Sequence, residues 1–254
     1  MTQSNENRTG GSNRYKRQLP LFGEGGQQKL REASVFVAGT GGLGSPVSVY
    51  LAAAGVGKIV LLDDDVVEET NLNRQFLHFD TDIGRKKAES GADKLCRMNP
   101  EISVEAVCCR LTAENAEELV GDCQIIVDAL DNDQTRRVLA AVAARTNRPY
   151  FHAAVSGFGG QIASFYPDVG PCYFCAFPEA EDENSTEKVL FPIVGATAGI
   201  IGSMEAGEVI KYIVGEKKQT GKLFIWDGRQ NSFMAMDLER DEGCPVCCKT
   251  EKKV

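Results

Sequence analysis

The stretch SVFVAGTGGLGSPVSVYLAAAGVGKIVLLDDD (34–65) decides the fold. A short apolar run (34–39) meets a glycine-rich turn, residues 43–55 predict a helix, and KIVLLDDD (58–65) predicts a second strand. Strand, helix and strand in this order form a βαβ unit, whose right-handed crossover makes the two strands parallel. The sequence therefore predicts that a parallel sheet begins here.

The same alternation continues along the first half of the chain, after an amphipathic N-terminal segment (14–32). Helices are predicted near 85–98, 113–120 and 132–146, and strands are predicted near 102–109, 124–130 and 149–154. Alternating strands and helices are typical of a sheet with helices on both faces. We therefore predict an α/β fold with a doubly wound, mostly parallel, Rossmann-like sheet.

The second half changes character. Residues 159–167 and 222–238 predict antiparallel strands around a long helix at 195–214. We expect this half to form a C-terminal antiparallel extension of the same sheet. The chain then forms one domain over 14–248, with a nucleotide-binding half at about 14–155 and a second half at about 156–248.

Two polar segments are expected to lie outside the packed fold. Residues 1–13 lack the apolar core of a secretory signal, so we predict a disordered tail. The acidic stretch EAEDENSTEK (179–188) predicts a mobile loop, acting as a lid or crossover segment.

Charge and hydropathy exclude several function classes. The chain has 254 residues and a net charge of -8, which disfavours nonspecific binding to nucleic acid or anionic membrane surfaces. There is no run of 18 apolar residues to span a membrane. These features favour a cytoplasmic protein that acts on small molecules or other proteins.

A nucleotide site is predicted at the glycine turn GTGGLG (39–44), because it follows a predicted strand and opens a predicted helix. Glycines there let backbone amides approach a phosphate. Asp63 ends the second strand, where a carboxylate can accept hydrogen bonds from ribose hydroxyls. A tight turn that serves only packing, followed by a polar loop at 63–65, is the alternative. The turn contributes four glycines: Gly39, Gly41, Gly42 and Gly44.

Basic residues after the second strand separate two kinds of nucleotide chemistry. The segments NLNRQ (71–75) and GRKKAES (84–90) supply Arg74 and either Lys86 or Lys87. Hydride transfer does not need such a cluster, whereas nucleotidyl transfer needs positive charge to balance the leaving pyrophosphate. The pattern favours ATP chemistry over an NAD(P)-dependent oxidoreductase. A solvated surface cluster is the alternative.

Asp131 is predicted to end the strand QIIVDALD (124–131), at the edge where open α/β sheets bind ligands. A carboxylate there can hold Mg²⁺ against phosphates, with Asn132 or Asp133 capping the next helix. From spacing alone, Asp131 is equally compatible with a place in that helix cap.

Two C-x-x-C pairs predict a metal site. CYFC (172–175) and CPVC (244–247) bring four thiols, which suit tetrahedral Zn²⁺ in a closed structural site. The expected ligands are Cys172, Cys175, Cys244 and Cys247, with Cys248 as a possible substitute for Cys247. Redox chemistry of the pairs is the alternative.

The remaining cysteines and both histidines are expected to have structural roles. Four cysteines lie in apolar surroundings and are expected to be core thiols: Cys96, Cys108, Cys109 and Cys123. His78 and His152 are expected to pack or to form hydrogen bonds rather than to act as catalysts.

The ordered motifs RYKRQ (14–18), GTGGLG, LLDDD, NLNRQ, G-x-x-K (84–87) and DALDN (128–132) resemble the ThiF, MoeB and HesA group of ubiquitin-activating-like enzymes. The resemblance runs from about Arg14 to Cys247. It implies adenylylation, by ATP and Mg²⁺, of the C-terminal glycine of a ubiquitin-like sulfur-carrier protein that ends in Gly-Gly, such as a ThiS-like or MoaD-like protein. It also implies a homodimer, a carrier-binding second half and a structural Zn²⁺.

The resemblance also implies roles for single residues. Asp63 would bind the ribose of ATP, Arg74 and Lys87 the phosphates, and Asp131 the Mg²⁺. Arg17 would reach the triphosphate from the partner subunit. Asn71 would position phosphate beside Arg74, and Asp65 would belong to the nucleotide site; the G-x-x-K spacing favours Lys87 over Lys86.

The sequence departs from some relatives of this group. Residues 176–191 contain no cysteine, so we expect no covalent enzyme–carrier intermediate through that loop. No rhodanese-like segment follows the second cysteine pair, so sulfur is expected to come from a separate donor. Adenylylation of a peptide or a tRNA base, a silent subunit of a heterodimer, and an NAD(P)-dependent oxidoreductase are the alternative functions.

Overall fold

The computed structural model describes residues 13–167, 169–178 and 192–248. The predicted tail, apart from Asn13, and the acidic stretch 179–188 lie outside these residues. Within the described chain, one sheet contains eight strands: β1 (Ser34–Ala38), β2 (Lys58–Leu62), β3 (Ser103–Val107), β4 (Ile125–Asp128), β5 (Tyr150–Ser156), β6 (Gly159–Phe165), β7 (Lys222–Asp227) and β8 (Ser232–Asp237).

Helices cover both faces of this sheet. The described residues form seven α-helices: α1 (Leu19–Glu32), α2 (Gly44–Ala54), α3 (Lys87–Met98), α4 (Ala116–Val120), α5 (Asp133–Arg145), α6 (Tyr173–Ala176) and α7 (Gly195–Val214). Short 3-10 turns add to these at Asn13–Tyr15, Glu69–Asn71 and Asp80–Asp82.

The strand order is β3-β2-β1-β4-β5-β6-β7-β8. Pairing is parallel from β3 to β5 and antiparallel from β5 to β8. The doubly wound sheet and its antiparallel extension are therefore confirmed. Because the chain reverses its direction of winding between β1 and β4, a crevice opens there at the carboxyl ends of the strands, where such sheets bind ligands.

Two apolar layers hold the sheet in place. On one face, Val35 and Val37 of β1 pack with Leu51 of α2 and Leu95 of α3. Phe36 and Ala38 point to the other face, because successive strand residues alternate between the two sides, and they pack towards α5. Burying one large aliphatic side chain contributes about 1.5–3 kcal/mol, so the central strands form a rigid base for the loops at their ends.

Among the strands that end earlier than predicted, β2 and β4 do so because of aspartate side chains. The backbone N–H of Leu130 donates to Asp128 Oδ1 at 3.1 Å, which turns the chain at the end of β4. After β2, the N–H of Asp65 donates to Asp63 Oδ1 at 3.0 Å in the same way. These turns compete with strand pairing. Asp131 therefore lies on a loop beyond β4 rather than at the strand end.

The prediction of core thiols is wrong for Cys96, which is exposed. Cys96 follows the buried Leu95 on α3, and successive helical residues point about 100° apart, so Cys96 faces solvent. Cys123 is buried as predicted, whereas Cys108 and Cys109 are only partly buried.

None of the helices in the described residues combines the length and the apolar character needed to cross a membrane.

Candidate nucleotide site and cysteine cluster

The glycine turn brings the end of β1 against the loop after β4. Gly39 has φ 95°, and a Cβ there would lie 2.6 Å from the carbonyl oxygen of Ala129. A Cβ on Gly44 would lie 1.9 Å from the carbonyl oxygen of Gly39. Only glycine satisfies both positions, and the tight turn directs the N-terminus of α2 into the crevice.

Gly41 and Gly42 leave room for side chains of the following loop. A Cβ on Gly42 would lie 3.7 Å from Arg74 Cγ, and a Cβ on Gly41 would lie 3.5 Å from Gln75 Nε2. Arg74 is therefore next to the glycine turn, as the sequence predicted. Its guanidinium donates to the carbonyl of Thr70 at 2.8 Å.

Asp63 is bonded directly to the glycine turn. The backbone N–H and the hydroxyl of Thr40 donate to Asp63 Oδ2 at 2.8 and 2.9 Å. Thr40 is fully buried, whereas Asp63 is only partly buried. The carboxylate is thus held at the mouth of the crevice, with lone pairs left to accept from a ligand hydroxyl.

The structure distinguishes the two adjacent lysines. Lys87 Nζ lies 2.8 Å from Asp65 Oδ2, and its side chain is 7% exposed. Lys86 donates instead to the carbonyl of Asp64 at 2.7 Å and is half-buried. Lys87 is therefore the buried cation of the site, which agrees with the choice made from its spacing.

Asn71 has a local structural role in addition to any contact with a ligand. It is buried, and its Oδ1 accepts from the backbone N–H of Glu68 at 3.0 Å, closing the 3-10 turn before Arg74. Asn73, in the same loop, packs tightly against the first residue of α7. A Cβ on Gly195 would lie 2.4 Å from the carbonyl oxygen of Asn73.

Asp131 is exposed and does not cap α5. Asn132 is the cap, because its side chain accepts from the backbone N–H of Thr135 at 2.9 Å. The alternative role of Asp131 in the helix cap is therefore excluded. Among the described residues, the close group of acids at this edge consists of Asp63, Asp64 and Asp65, and Asp131 is not part of it.

Arg17 is not brought to this site within one chain. Its neighbour Gln18 donates to the carbonyl of Ala54 at 2.8 Å, at the last residue of α2. The glycine turn lies at the first residue of α2, and an 11-residue helix is about 16 Å long. Exposed Arg17 therefore lies at the opposite edge of the sheet from the nucleotide site of its own chain.

The four predicted cysteine ligands converge although the two pairs are far apart in sequence. Cys172 Sγ lies 3.8 Å from Cys175 Sγ and 3.6 Å from Cys244 Sγ, and Cys175 Sγ lies 3.5 Å from Cys247 Sγ. Four sulfurs at 2.3 Å from one tetrahedral ion would be about 3.8 Å apart, so the cluster fits Zn²⁺. Cys248 instead faces the carbonyl of Asp241 at 3.2 Å.

A buried polar group under the site was not singled out from the sequence. Asp128 is fully buried and lies 2.7 Å from His152 Nδ1 and 3.4 Å from Arg136 Nε. Although burial favours the neutral acid, Arg136 and His152 hold the pKa of Asp128 below its ordinary value. His152 thus has the hydrogen-bonding role predicted for it. An aspartate inside the apolar strand QIIVDAL is the sequence signal for this group.

Together, the strand order, the glycine turn and the cationic loops define a nucleotide-binding α/β protein of the Rossmann type. The ThiF family model matches residues 15–246, and the chain belongs to this family. Its relatives are adenylyltransferases, so the chain is an enzyme that adenylylates a substrate.

Three similar proteins illustrate the match. The SAMP-activating enzyme E1 of Haloferax volcanii is 39% identical over 238 residues, which cover 92% of this chain and 88% of the relative. The sulfur carrier protein ThiS adenylyltransferase of Escherichia coli is 37% identical, with 92% and 94% covered. A crystal structure of E. coli MccB with MccA-N7isoASN superposes with a TM-score of 0.84 at 28% identity and covers 93% of this chain and 75% of that one.

Proposed function

We propose that this enzyme adenylylates the C-terminal glycine carboxylate of a ubiquitin-like sulfur-carrier protein, with ATP as co-substrate. A carboxylate oxygen of the carrier bonds to the α-phosphorus, the bond from that phosphorus to the bridging oxygen breaks, and pyrophosphate leaves. The observation that carries the proposal is the buried cation Lys87, which is paired with Asp65 in the loop that begins at Asp63. Such a step needs positioning and charge neutralisation but no protein nucleophile.

The residues of the site divide these tasks. Asp63 accepts from the ribose hydroxyls, and the amides of the glycine turn approach a phosphate. Arg74 and Lys87 balance the charge that moves to the leaving pyrophosphate, with Asn71 fixing the loop that carries Arg74. Asp65 holds Lys87 in place until the triphosphate binds.

Asp131 is proposed to hold Mg²⁺ at the phosphates. Its carboxylate is exposed at the sheet edge and is not used in the helix cap. The ion would neutralise negative charge on the phosphates, and Mg²⁺ sites typically use few protein carboxylates and several waters. One exposed aspartate is compatible with that coordination.

Zn²⁺ is proposed to occupy the cysteine cluster. The cluster is mostly buried, and all four ligands are sulfur, which favours a closed structural site over a catalytic one. The ion would join the segment after β6 to the segment after β8, and thus hold the carrier-binding half together.

The working form is proposed to be a homodimer. Because Arg17 lies at the far edge of its own sheet, it can serve a nucleotide site only if that site belongs to another copy. A partner's arginine at the triphosphate would add charge where the pyrophosphate leaves. The dimer is then needed for activity.

The carrier ends in Gly-Gly, and a separate protein or sulfide donates the sulfur to the acyl-adenylate. The relatives above act on different carriers, SAMP and ThiS, so thiamine, molybdenum cofactor and other sulfur pathways are all compatible. We expect the protein in the cytoplasm, where ATP is plentiful and thiols stay reduced for metal binding.

The test is ATP–pyrophosphate exchange with purified protein, Mg²⁺ and ThiS-like or MoaD-like carriers. Exchange should require the intact Gly-Gly tail and should disappear with a carrier that lacks the last glycine. ATP binding without exchange for any carrier would overturn the carrier proposal, and binding of NAD instead of ATP would overturn the whole assignment.

A peptide substrate is the second candidate, favoured by the likeness to MccB with bound MccA-N7isoASN. A tRNA base is a third, although the net charge of -8 disfavours it. Exchange assays with short peptides and with tRNA, run beside the carriers, separate these substrates.

A further inference from the structure

A continuous chain of hydrogen bonds leads from a buried ion pair on α3 to the glycine turn. Lys94 and Asp82 form this pair with side chains 9% and 5% exposed. Lys94 Nζ also donates to Ser90 Oγ at 2.7 Å, and Ser90 Oγ lies 2.9 Å from His78 Nδ1. The other ring nitrogen, His78 Nε2, lies 3.1 Å from the carbonyl oxygen of Thr40.

Chemistry fixes the direction of each bond in this chain. An ammonium group only donates, so Ser90 Oγ accepts from Lys94, and its own proton is available for His78 Nδ1. A carbonyl oxygen only accepts, so His78 Nε2 carries the proton that is donated to Thr40. The Thr40 carbonyl therefore sets the tautomer of the neutral imidazole, which is protonated at Nε2, and Ser90 then donates to Nδ1.

The surroundings keep His78 neutral. Its side chain is 3% exposed, and burial lowers the pKa of His78, with Lys94 and Lys87 acting in the same direction. A second proton on Nδ1 would add a positive charge to a ring that lies one hydroxyl away from the Lys94 ammonium. The imidazole is therefore a fixed donor towards the glycine turn.

The residue that receives this bond also holds Asp63. Thr40 donates twice to Asp63 Oδ2, and its carbonyl takes the bond from His78 and a longer one from Ser45 Oγ at 3.4 Å. Thr40 is thus bonded on both sides of its peptide backbone. The orientation of the Asp63 carboxylate depends on Thr40, and that of Thr40 depends on His78.

We infer that His78 is a positioning residue for nucleotide recognition, which sets the Asp63 carboxylate for the ribose hydroxyls through Thr40. The inference rests on the proposed function, since it assumes that Asp63 binds the ribose. His78 itself stays 3% exposed and does not meet the ligand. Its effect should therefore depend on whether the nucleotide has ribose hydroxyls.

The test compares ATP with 2′,3′-dideoxy-ATP by titration calorimetry in the presence of Mg²⁺. His78→Asn keeps a partner for Ser90 but is too short to reach Thr40. We expect it to weaken ATP about tenfold and dideoxy-ATP less than about threefold, since one buried hydrogen bond to the turn is lost. His78→Gln, with an amide donor near the Nε2 position, should recover ATP binding to within about threefold of wild type.

Equal losses for both nucleotides, or no loss for either, would overturn the inference, because a general structural role does not distinguish them. If His78→Asn does not fold, Ser90→Ala replaces it and should show the same selective loss at smaller size. Wild-type protein that does not bind ATP would overturn the proposed function, and the inference with it. If the wild-type protein binds ATP more tightly than dideoxy-ATP and the variants keep the same ratio, the inference is overturned and the proposed function stands.

Discussion

The ammonium group of Lys87 lies 2.8 Å from the carboxylate of Asp65, and this ion pair joins the first residue of α3 to the loop after β2. The two side chains differ in exposure: 7% for Lys87 and 68% for Asp65. A buried ammonium needs a partner, and here that partner is itself open to solvent. In the proposed function, a triphosphate would replace or join Asp65 at Lys87 without a large rearrangement.

The first prediction compares the two adjacent lysines. Lys87→Ala should lower the rate of ATP–pyrophosphate exchange by at least about 100-fold, because a buried positive charge at the leaving group is lost. Lys86→Ala should stay within about threefold of wild type, since Lys86 is half-buried and donates to a backbone carbonyl. Similar losses for both variants would contradict the assignment of Lys87.

The second prediction separates Asp131 from its neighbour. Asp131→Asn should raise the Mg²⁺ concentration for half-maximal exchange at least about tenfold, with little change in Tm, since the side chain is exposed. Asn132→Ala should show the opposite pattern. It removes the cap of α5 and should lower the free energy of unfolding by about 1 kcal/mol, while the Mg²⁺ dependence stays unchanged. Normal exchange at low Mg²⁺ by a folded Asp131→Asn protein would exclude the magnesium role.

The third prediction concerns the metal. Purified protein should contain about one Zn²⁺ per chain by elemental analysis. Cys247→Ser should lose the metal and unfold at a lower temperature, whereas Cys248→Ser should keep both, because Cys248 faces Asp241 instead of the cluster. A strong chelator should lower the Tm of wild-type and Cys248→Ser protein and leave the Tm of Cys247→Ser protein unchanged. Metal retained in the Cys247→Ser protein would show that the cluster is not its site.

Much of the nucleotide site follows from local sequence. The glycine turn, Asp63 and the lysine pair 86–87 each lie within a few residues of a strand or helix end. Spacing predicts that they share one sheet edge, and the resemblance selects Lys87. The two cysteine pairs are also predictable from local sequence, because a C-x-x-C turn places two sulfurs side by side wherever it lies in the chain. That the two pairs meet was predicted from the four ligands that Zn²⁺ prefers, and the structure confirms that the four sulfurs lie close together.

Other features depend on contacts between distant segments and have no local signal. The ends of β2 and β4 are set by the turns of Asp63 and Asp128, so the predicted strands were too long. Cys96 was predicted from apolar neighbours, but its exposure depends on the helical phase of α3. The bond from His78 to Thr40 joins residues 38 positions apart, and no pattern in the sequence indicates it.

The fourth prediction concerns pH. Glu205 is 1% exposed, and neither of its carboxyl oxygens has a hydrogen-bond partner among the described residues. Burial, with a smaller effect of Asp128, raises the pKa of Glu205 well above its ordinary value of 4.5. The protonated Glu205 therefore contributes fully to the free energy of unfolding below about pH 4.5, and this contribution is lost as the pH rises through the raised pKa.

Glu205→Gln, a neutral side chain of nearly the same shape, should remove this loss of stability at high pH. The Tm of Glu205→Gln should exceed that of wild type by at least about 3 °C at pH 8, and the difference should shrink as the pH falls towards 4.5. Glu216→Gln, at an exposed position after α7, should give a difference that does not change with pH. A constant difference for Glu205→Gln, measured by thermal unfolding across this range, would mean that Glu205 does not titrate above 4.5.

The last prediction tests whether Arg17 acts between subunits. Arg17→Ala and Asp131→Ala should each abolish exchange while the protein stays folded, because both residues are exposed. If Arg17 serves the partner's site, a heterodimer of the two variants has one site with both residues intact. Random re-pairing at equal amounts makes half of the dimers mixed, so about a quarter of the wild-type activity should return.

A second pair of variants is the control for this experiment. Lys87→Ala mixed with Asp131→Ala should stay inactive, since each lesion lies in the site of its own chain and no re-pairing restores either. If Arg17 instead served its own chain, both mixtures would stay inactive, although Gln18 fixes this segment to the far end of α2. Recovery in the first mixture alone therefore requires an arginine that crosses the subunit boundary.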